Sequence, residues 1–317
     1  MDTHHPLPPS IPRGLSVVIP VYNSEDSLEA LCAELLPQLR MLGMPCEVIL
    51  VNDGSRDTSW ERVRSLSVTY GEVRGIRLMR NFGQHNALLC GIREARFDTT
   101  VTMDDDLQHP AVEIPRLLEA LAGADVVYGT PRHEPHDLWR GVASRVTKRA
   151  LQSVMGAETA RKVSALRVFR TSLREGFRDY RSPFLSIDVL LTWTTTRFAA
   201  VEVEHRPRKY GRSNYTFRQL VVHAINMMTG FSVLPLQLAS MTGFAFTVFG
   251  FGVFVYVVGR YLLQGTNVAG FPFLASIIAI FSGAQLFAIG IIGEYLARMH
   301  FRMMERPTYA VAEVTPP

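Results

Sequence analysis

Charged side chains are almost absent from residues 219–293 of this 317-residue chain. That stretch holds one, Arg260, whereas residues 1–218 hold 55 of the 62 Lys, Arg, Asp and Glu residues. A water-soluble surface is roughly a quarter or more charged, so this stretch cannot form one. The composition therefore excludes a plain soluble enzyme. The ordinary charge density before residue 219 also excludes a polytopic transporter that fills the whole chain.

Arg260 divides the apolar stretch into uncharged runs of 41 and 33 residues. A bilayer core takes about 20 helical residues, so each run can hold one span. The first run is longer than one span needs, and Gly230 and Pro235 interrupt its extra residues. A buried helical hairpin of a soluble protein is the alternative, but two core helices this long would need a far larger partner surface. The predicted membrane segments are an interfacial helix at 215–233 and a transmembrane hairpin at 234–296, with spans at 236–262 and 273–295.

Basic residues flank the hairpin at both ends and are missing from its turn, so the positive-inside rule places both ends in the cytoplasm. Residues 1–14 are polar and proline-rich without the apolar core of a signal peptide, and we expect a flexible N-terminus there. Residues 297–317 are expected to form a cytoplasmic tail. The basic residues are Arg206, Arg208, Lys209, Arg212 and Arg218 before the hairpin, and Arg298, Arg302 and Arg306 after it.

Cysteine is scarce, and its three residues, Cys32, Cys46 and Cys90, show no metal-ligand spacing. An odd number of cysteines in a cytoplasmic domain predicts reduced thiols. A disulfide framework is therefore not expected.

The remaining charge is divided unevenly along the chain. Residues 1–131 carry 11 basic and 18 acidic side chains, a net −7, whereas residues 132–218 carry 18 basic and 8 acidic ones, a net +10. The basic segment is therefore expected to meet anions, either lipid headgroups or phosphates.

Short apolar runs of strand length alternate with helical patterns along residues 15–131. Near-continuous apolar strands that alternate with helices are typical of a parallel sheet covered on both faces, an α/β fold. Ligands of such sheets bind beyond the carboxyl ends of the strands. The predicted strands lie at 15–20, 46–51, 75–79, 99–103 and 124–129, and the helices at 27–42, 58–70, 86–95 and 112–122.

Polar residues follow four of these strands. Tyr22 follows the first within PVYNSE, Asp53 the second within NDGS, Asp104 the fourth within DDDLQHP, and Arg132 the fifth within TPR. The patterns GxGxxG and GxxxxGK[ST] are both absent, so neither a dinucleotide site nor a P-loop is predicted. A phosphate bound at this edge would have to be neutralised by metal and arginine.

Asp104 and Asp106 stand two residues apart directly after a buried strand. Carboxylate oxygens are the ligands that Mg²⁺ and Mn²⁺ prefer, so the pair predicts a site for one of these ions. An acidic tripeptide can also be a solvated turn, and Asp106 with Pro110 could simply start the helix at Ala111. The register of four polar strand ends along one rim favours the metal site.

Several motifs together resemble the family 2 GT-A glycosyltransferases that load polyprenyl phosphate: PVYNSE, VNDGS, RNFGQHNA, DDDLQHP, RKYGRSNYTF and GEYLARM. Within that family the chain looks most like the bacterial undecaprenyl-phosphate aminoarabinose and glucose transferases, and dolichol-phosphate mannose synthases are more distant. The resemblance covers about residues 15–310. It implies a GT-A domain, Rossmann-like with a mostly parallel sheet, at 15–214. It also implies sugar transfer from a nucleotide diphosphate to a lipid phosphate at the cytoplasmic face of the bacterial inner membrane.

The resemblance implies roles for individual residues on the donor side. Pro20, Tyr22 and Glu25 match positions that border the nucleoside, and Asp53 matches the residue that hydrogen-bonds the base. Asp104 matches a residue near the ribose and the donor sugar, where it would orient the sugar. The donor nucleotide is expected to be UDP.

Metal and acceptor residues are implied in the same way. Asp106 and Gln108 match the ligands of the Mg²⁺ or Mn²⁺ ion that holds the diphosphate, and Arg208 matches an arginine at the diphosphate. Asp104, Asp106 and Arg208 form the expected catalytic set. An acceptor phosphate is already ionised, so no strong base is needed and direct displacement predicts inversion. The expected acceptor-phosphate residues are Arg132, Arg167 and Arg212.

Two segments depart from the family pattern. Where relatives have Asp-x-Gly-x-x-x-Arg, residues 161–167 read RKVSALR, and where they have Gly-x-Ser-Lys, residues 211–214 read GRSN. Arg212 or Lys209 can replace the lysine, whereas the sequence offers no evident substitute for the aspartate.

The departures leave two alternatives open: a membrane-anchored nucleotide-sugar-binding subunit that has lost catalysis, and a transferase for another lipid acceptor. A processive polysaccharide transferase is disfavoured because QxxRW is absent and two spans are too few for a glycan channel.

The expected partners are the nucleotide-sugar donor, polyprenyl phosphate and the lipid bilayer, and no nucleic acid is expected. Small residues in the spans permit close helix packing, either in a homo-oligomer or within the hairpin itself. They are Gly250, Gly252, Gly283, Gly290 and Gly293.

Overall fold

The computed structural model describes residues 11–131, 163–182, 185–207, 234–264, 270–304 and 306–316. Eight strands of the described residues form one mixed sheet in the order β7-β5-β6-β4-β1-β2-β3-β8. The strands are β1 Leu15–Val21, β2 Cys46–Asn52, β3 Val73–Leu78, β4 Thr99–Thr102, β5 Val126–Pro131, β6 Arg167–Arg170, β7 Phe198–Val203 and β8 Val311–Val314. The α-helices are α1 Leu28–Met41, α2 Ser59–Thr69, α3 Gln84–Glu94, α4 Ile114–Ala120, α5 Ile187–Thr192, α6 Leu234–Gln264 and α7 Phe271–Met303.

The sheet is mostly parallel, as predicted. Strands β4, β1, β2 and β3 pair in parallel, β5 pairs in parallel with β7, and β6 and β8 run antiparallel to their neighbours. Helices α1, α2 and α4 cover one face, and α3 and α5 cover the other. Because both faces are covered, every residue of β1 is buried. This explains why β1 is apolar apart from Ser16, whose hydroxyl donates to Glu47, and shows no regular alternation between apolar and polar side chains.

Two exposed apolar helices follow the sheet domain. Helices α6 and α7 contain segments long and apolar enough to cross a membrane, Pro235–Arg260 and Ile280–His300. The most apolar part of each segment is entirely unburied. The alternative of a buried hairpin in a soluble core is therefore wrong. The predicted interfacial helix at 215–233 and the turn at 265–269 lie outside the described residues.

The hairpin uses one of its small residues for internal packing. A Cβ at Gly250 would lie 3.1 Å from Cζ of Phe281, whose ring also meets Phe246 edge to face at 5.5 Å. Gly250 therefore lets α6 approach α7. At the other four glycines of the predicted set, a Cβ would meet no described atom within 4 Å.

The chain returns from the hairpin to the sheet. Strand β8 pairs antiparallel with β3, and the backbone N–H and the Oγ1 of Thr315 bond the carbonyl and the N–H of Gly75, both at 2.9 Å. The indole N–H of Trp60 donates to Glu313 at 3.1 Å. Residues 297–317 are predicted as a tail, whereas their described part continues α7 and then supplies an edge strand. The C-terminal end of the hairpin is thus connected to the sheet domain through β8.

Candidate active site

The loops that carry the predicted site residues meet at one edge of the sheet. Strands β1, β2, β4, β5 and β7 run in the same direction, so the segments after them lie together at their carboxyl ends. The first residues of α3 approach the same edge. The shared direction of the strands thus brings together groups that are far apart in the chain.

The loop after β1 offers one open aromatic ring. Tyr22 is 38% exposed, and Pro20 is buried within the strand. The carboxylate of Glu25 accepts the backbone N–H of Thr58 at 2.9 Å, and Thr58 is the residue before α2. Glu25 therefore satisfies a helix N-terminus, which the sequence interpretation had not assigned to it. A position next to a nucleoside remains a prediction for Pro20, Tyr22 and Glu25.

Asp53, after β2, is bound on both carboxylate oxygens. Its Oδ1 accepts the N–H of Phe82 at 2.7 Å and its Oδ2 accepts the N–H of Gly83 at 2.8 Å. Asp53 is only 2% exposed, and this burial raises its pKa while the two N–H donors lower it. Asp53 thus holds the loop before α3. A base contact would use the remaining lone pairs of the carboxylate and stays a prediction.

The loop after β4 gathers three carboxylates. Asp104 Oδ1 accepts the side-chain amide of Gln84 at 2.7 Å, and buried Asp106 accepts the backbone N–H of Gln108 at 3.1 Å. Asp105 lies between them, and its Oδ2 is buried without a hydrogen-bond partner among the described residues. Burial, followed by repulsion from Asp104 and Asp106, raises the pKa of Asp105 to about 7, although a hydrogen bond from Ser24 lowers it.

The segment after β7 is fastened to this carboxylate loop. The backbone N–H of Arg206 donates to the carbonyl of Gln108 at 2.9 Å. Next to it, the ring of buried His109 meets that of His205 edge to face at 5.1 Å. Burial first, and then His205, lowers the pKa of His109 to about 4, so the ring is neutral at physiological pH. The sequence interpretation gave His109 no role, although the residue lies within DDDLQHP.

The carboxylate loop fits a divalent ion. No group of three or more His, Cys, Asp or Glu side chains forms a complete cage in the described part of the chain. Mg²⁺, however, is usually held by one or two carboxylates while water and substrate phosphates complete its shell. Burial is the main cause of the raised pKa of Asp105, and the nearby carboxylates of Asp104 and Asp106 add to it; a divalent ion would neutralise this negative charge. Asp106 and Gln108 remain its predicted ligands.

Arg167 is the one predicted acceptor arginine that the structure describes. It is 3% exposed, and its Nη1 donates to Asp188 Oδ1 at 2.7 Å. Asp188 was not predicted from the sequence, because the ion pair between Arg167 and Asp188 forms only when α5 packs on the sheet. Its one signal is a carboxylate at the start of an apolar segment. The other arginines of the predicted site, Arg132, Arg208 and Arg212, lie outside the described residues.

Comparisons with known proteins show the family of the chain. Residues 16–177 match glycosyl transferase family 2. The chain is 34% identical over 305 residues to the undecaprenyl-phosphate 4-deoxy-4-formamido-L-arabinose transferase of Aeromonas hydrophila, covering 95% of this chain and 93% of that protein. It is also 34% identical over 304 residues to the protein of the same name from Pseudomonas paraeruginosa, covering 95% and 90%.

A solved structure shows a likeness of fold. Glucosyl-3-phosphoglycerate synthase of Mycobacterium tuberculosis has a TM-score of 0.50 and 17% identity, over 68% of this chain and 78% of that one. The family match spans β1 to the segment after β6 and includes the carboxylate loop. The predicted family and the α/β fold are thus confirmed, and the chain belongs to glycosyl transferase family 2 as a glycosyltransferase.

Proposed function

We propose that this glycosyltransferase moves a sugar from a UDP-linked donor to undecaprenyl phosphate at the cytoplasmic face of the bacterial inner membrane. The observation that carries the proposal is an exposed apolar hairpin whose C-terminal end continues into a strand of the domain that bears the carboxylate loop. Relatives 34% identical along nearly the whole chain are named as transferases that act on undecaprenyl phosphate. An acceptor embedded in lipid requires an enzyme held at the headgroup plane.

On the donor side, the exposed ring of Tyr22 and the segment held by Asp53 border the nucleoside. Asp104, whose Oδ1 is fixed by Gln84, orients the sugar. A Mg²⁺ or Mn²⁺ ion held by Asp106 and Gln108 would, when bound, neutralise charge on the diphosphate leaving group. Arg208 meets the same diphosphate.

On the acceptor side, the phosphate arrives already ionised, so no residue has to remove a proton from it. Its oxygen displaces the nucleoside diphosphate directly, and the anomeric configuration is inverted. Arg132, Arg167 and Arg212 bind this phosphate, consistent with the net +10 of residues 132–218. The basic flanks of the hairpin orient both termini and the catalytic domain towards the cytoplasm.

The proposal is tested with the full-length protein in liposomes that contain undecaprenyl phosphate. A panel of UDP-sugars is added with Mg²⁺ or Mn²⁺, and lipid products are identified by mass spectrometry together with their anomeric configuration. We expect one glycosyl-phosphate lipid with inverted configuration. Product formation should be lost in Asp106→Asn and retained in Glu119→Gln, which changes an exposed carboxylate on α4.

Two outcomes would replace the proposal. Nucleotide binding without product from any donor would indicate a binding subunit without catalysis. Product on a different lipid, with none on undecaprenyl phosphate, would show that the acceptor is wrong.

A further inference from the structure

An ion pair lies inside the sheet domain, where few charged groups are found. Arg167 Nη1 and Asp188 Oδ1 are 2.7 Å apart, and the hydroxyl of Tyr128 donates to the same oxygen at 3.1 Å. Tyr128 is completely buried, and Asp188 is 5% exposed. Burial, followed by the charge of Asp188, raises the pKa of the Tyr128 phenol, so the phenol stays a hydrogen-bond donor at any physiological pH.

The pair lies next to the carboxylate loop. Arg167 is opposite Thr102 of β4 and Tyr128 of β5 in the antiparallel registers, and Thr102 precedes Asp104 by two residues. The N–H of Ile187, at the start of α5, donates to the ring of His85 at 3.4 Å. His85 follows Gln84, which bonds Asp104. Asp188 is therefore on a helix whose start is connected to the same edge of the sheet.

Stability alone does not account for this pair. Buried ion pairs can often be replaced by apolar residues of similar volume without loss of stability, because removing two charges from water is costly. In addition, Arg167 Nε is buried and has no hydrogen-bond partner among the described residues. A buried ionised donor without a partner is costly, and an oxygen of a ligand would satisfy it through a strong charge-assisted bond.

We propose that Asp188 is the positioning residue of Arg167 and holds its guanidinium so that it binds a phosphate oxygen of a substrate. Helix α5 would thus supply the carboxylate that residues 161–166 lack. The inference rests on the proposed function, in which this is the phosphate of the polyprenyl acceptor; the donor diphosphate offers the same chemistry, and the test distinguishes the two. Tyr128 also holds this carboxylate, because its hydroxyl donates to the same Oδ1 that Arg167 bonds.

Binding measurements test this without requiring turnover. The full-length protein in detergent is titrated with a short polyprenyl phosphate and, separately, with UDP plus Mg²⁺. Asp188→Asn keeps the shape of the side chain and removes its charge. We expect this variant to bind one of the two ligands at least tenfold more weakly. Weaker binding of polyprenyl phosphate would show that Arg167 binds the acceptor phosphate. Weaker binding of UDP would show that it binds the donor diphosphate.

The matched control is Asp125→Asn. Asp125 pairs with Arg170 at 3.4 Å and Arg197 at 3.7 Å, at the other end of β6, and its side chain is 18% exposed. This variant removes a carboxylate–arginine interaction from the same sheet without touching the proposed site. Both ligands should bind within twofold of wild type. Asp188→Glu should recover part of the affinity that Asp188→Asn loses.

A double variant separates support of the fold from positioning. Arg167→Met with Asp188→Leu replaces the pair by apolar side chains, and thermal unfolding shows whether the fold survives. We expect a folded protein whose affinity is at least as weak as that of Asp188→Asn. Unchanged affinity for both ligands in Asp188→Asn, or in a folded double variant, would overturn the inference. Absence of sugar transfer by the wild type would instead reject the proposed function and leave the binding result interpretable.

Discussion

The amide of Gln84 donates to Asp104 across 2.7 Å and so connects the first residue of α3 to the carboxylate loop after β4. Asp53 holds the backbone immediately before that helix through Phe82 and Gly83. Asp53 and Asp104 follow different strands, yet both are coupled to the start of α3. The relative position of the predicted base and sugar contacts therefore depends on one helix terminus.

Loss of the Gln84 amide is expected to impair catalysis. Gln84→Ala should lower kcat/KM by roughly 10- to 100-fold, because a hydrogen bond to a charged group contributes about 1.5–3 kcal/mol. Gln84→Glu should be worse, since it sets a second negative charge against Asp104. Initial rates with saturating acceptor measure both variants, and Gln38→Ala on α1 is the control. Wild-type rates in Gln84→Ala would mean that this contact does not orient Asp104.

The raised pKa of Asp105 predicts a pH-dependent stability. The unfolded carboxyl titrates near pH 4, whereas the folded one titrates at about 7, so folding favours the protonated form. This contribution is complete below pH 4 and is lost as the pH rises towards 7, with an upper limit of roughly 4 kcal/mol. Thermal unfolding in detergent with EDTA should show a decline that Asp105→Asn lacks. Asp26→Asn, at an exposed carboxylate, should keep the wild-type slope.

The bond between Thr315 and Gly75 should contribute to stability. Thr315→Val keeps the volume of the side chain but leaves the buried N–H of Gly75 without its 2.9 Å acceptor, which costs about 1–3 kcal/mol. The midpoint of thermal unfolding should fall by several degrees. Val314→Thr, on the exposed side of β8, is the control and should stay close to wild type. Equal midpoints for both variants would show that β8 contributes little to the fold.

The cysteines should differ in reactivity. Burial raises the pKa of Cys32 and Cys90 to about 12, whereas Cys46 is half-buried and its pKa is raised mainly by partial burial. Alkylation by iodoacetamide at pH 8 depends on the thiolate, so Cys46 should be modified first and the other two only after unfolding. Mass spectrometry of tryptic peptides shows the order in which the three cysteines are alkylated. Rapid modification of Cys90 in the folded protein would contradict its burial on α3.

The first five strands and the helices between them could be predicted from the sequence because their apolar runs reflect burial on both faces. Strands β6 and β8 could not. Each has four residues, and each becomes a strand only through pairing with a distant segment. No local pattern carries that information.

The candidate site shows the same division. The placement of Asp104 and Asp106 at the sheet edge follows from strand direction, which the sequence pattern indicates. Asp53 is different, since its motif predicts a base contact but not the two backbone donors that occupy it. The partnership of Arg167 with Asp188 depends on how α5 packs against the sheet, and residue types alone do not determine that geometry.

The position of β8 after the hairpin has a consequence for biosynthesis. Residues 311–314 leave the ribosome only after both apolar helices, so the sheet remains incomplete until the hairpin has been synthesised. During that interval the edge of β3 lacks its partner, and an unpaired edge can pair with other chains. Pairing of β8 with β3 then closes this edge. Completion of the catalytic domain therefore waits for a segment that is synthesised after the apolar hairpin.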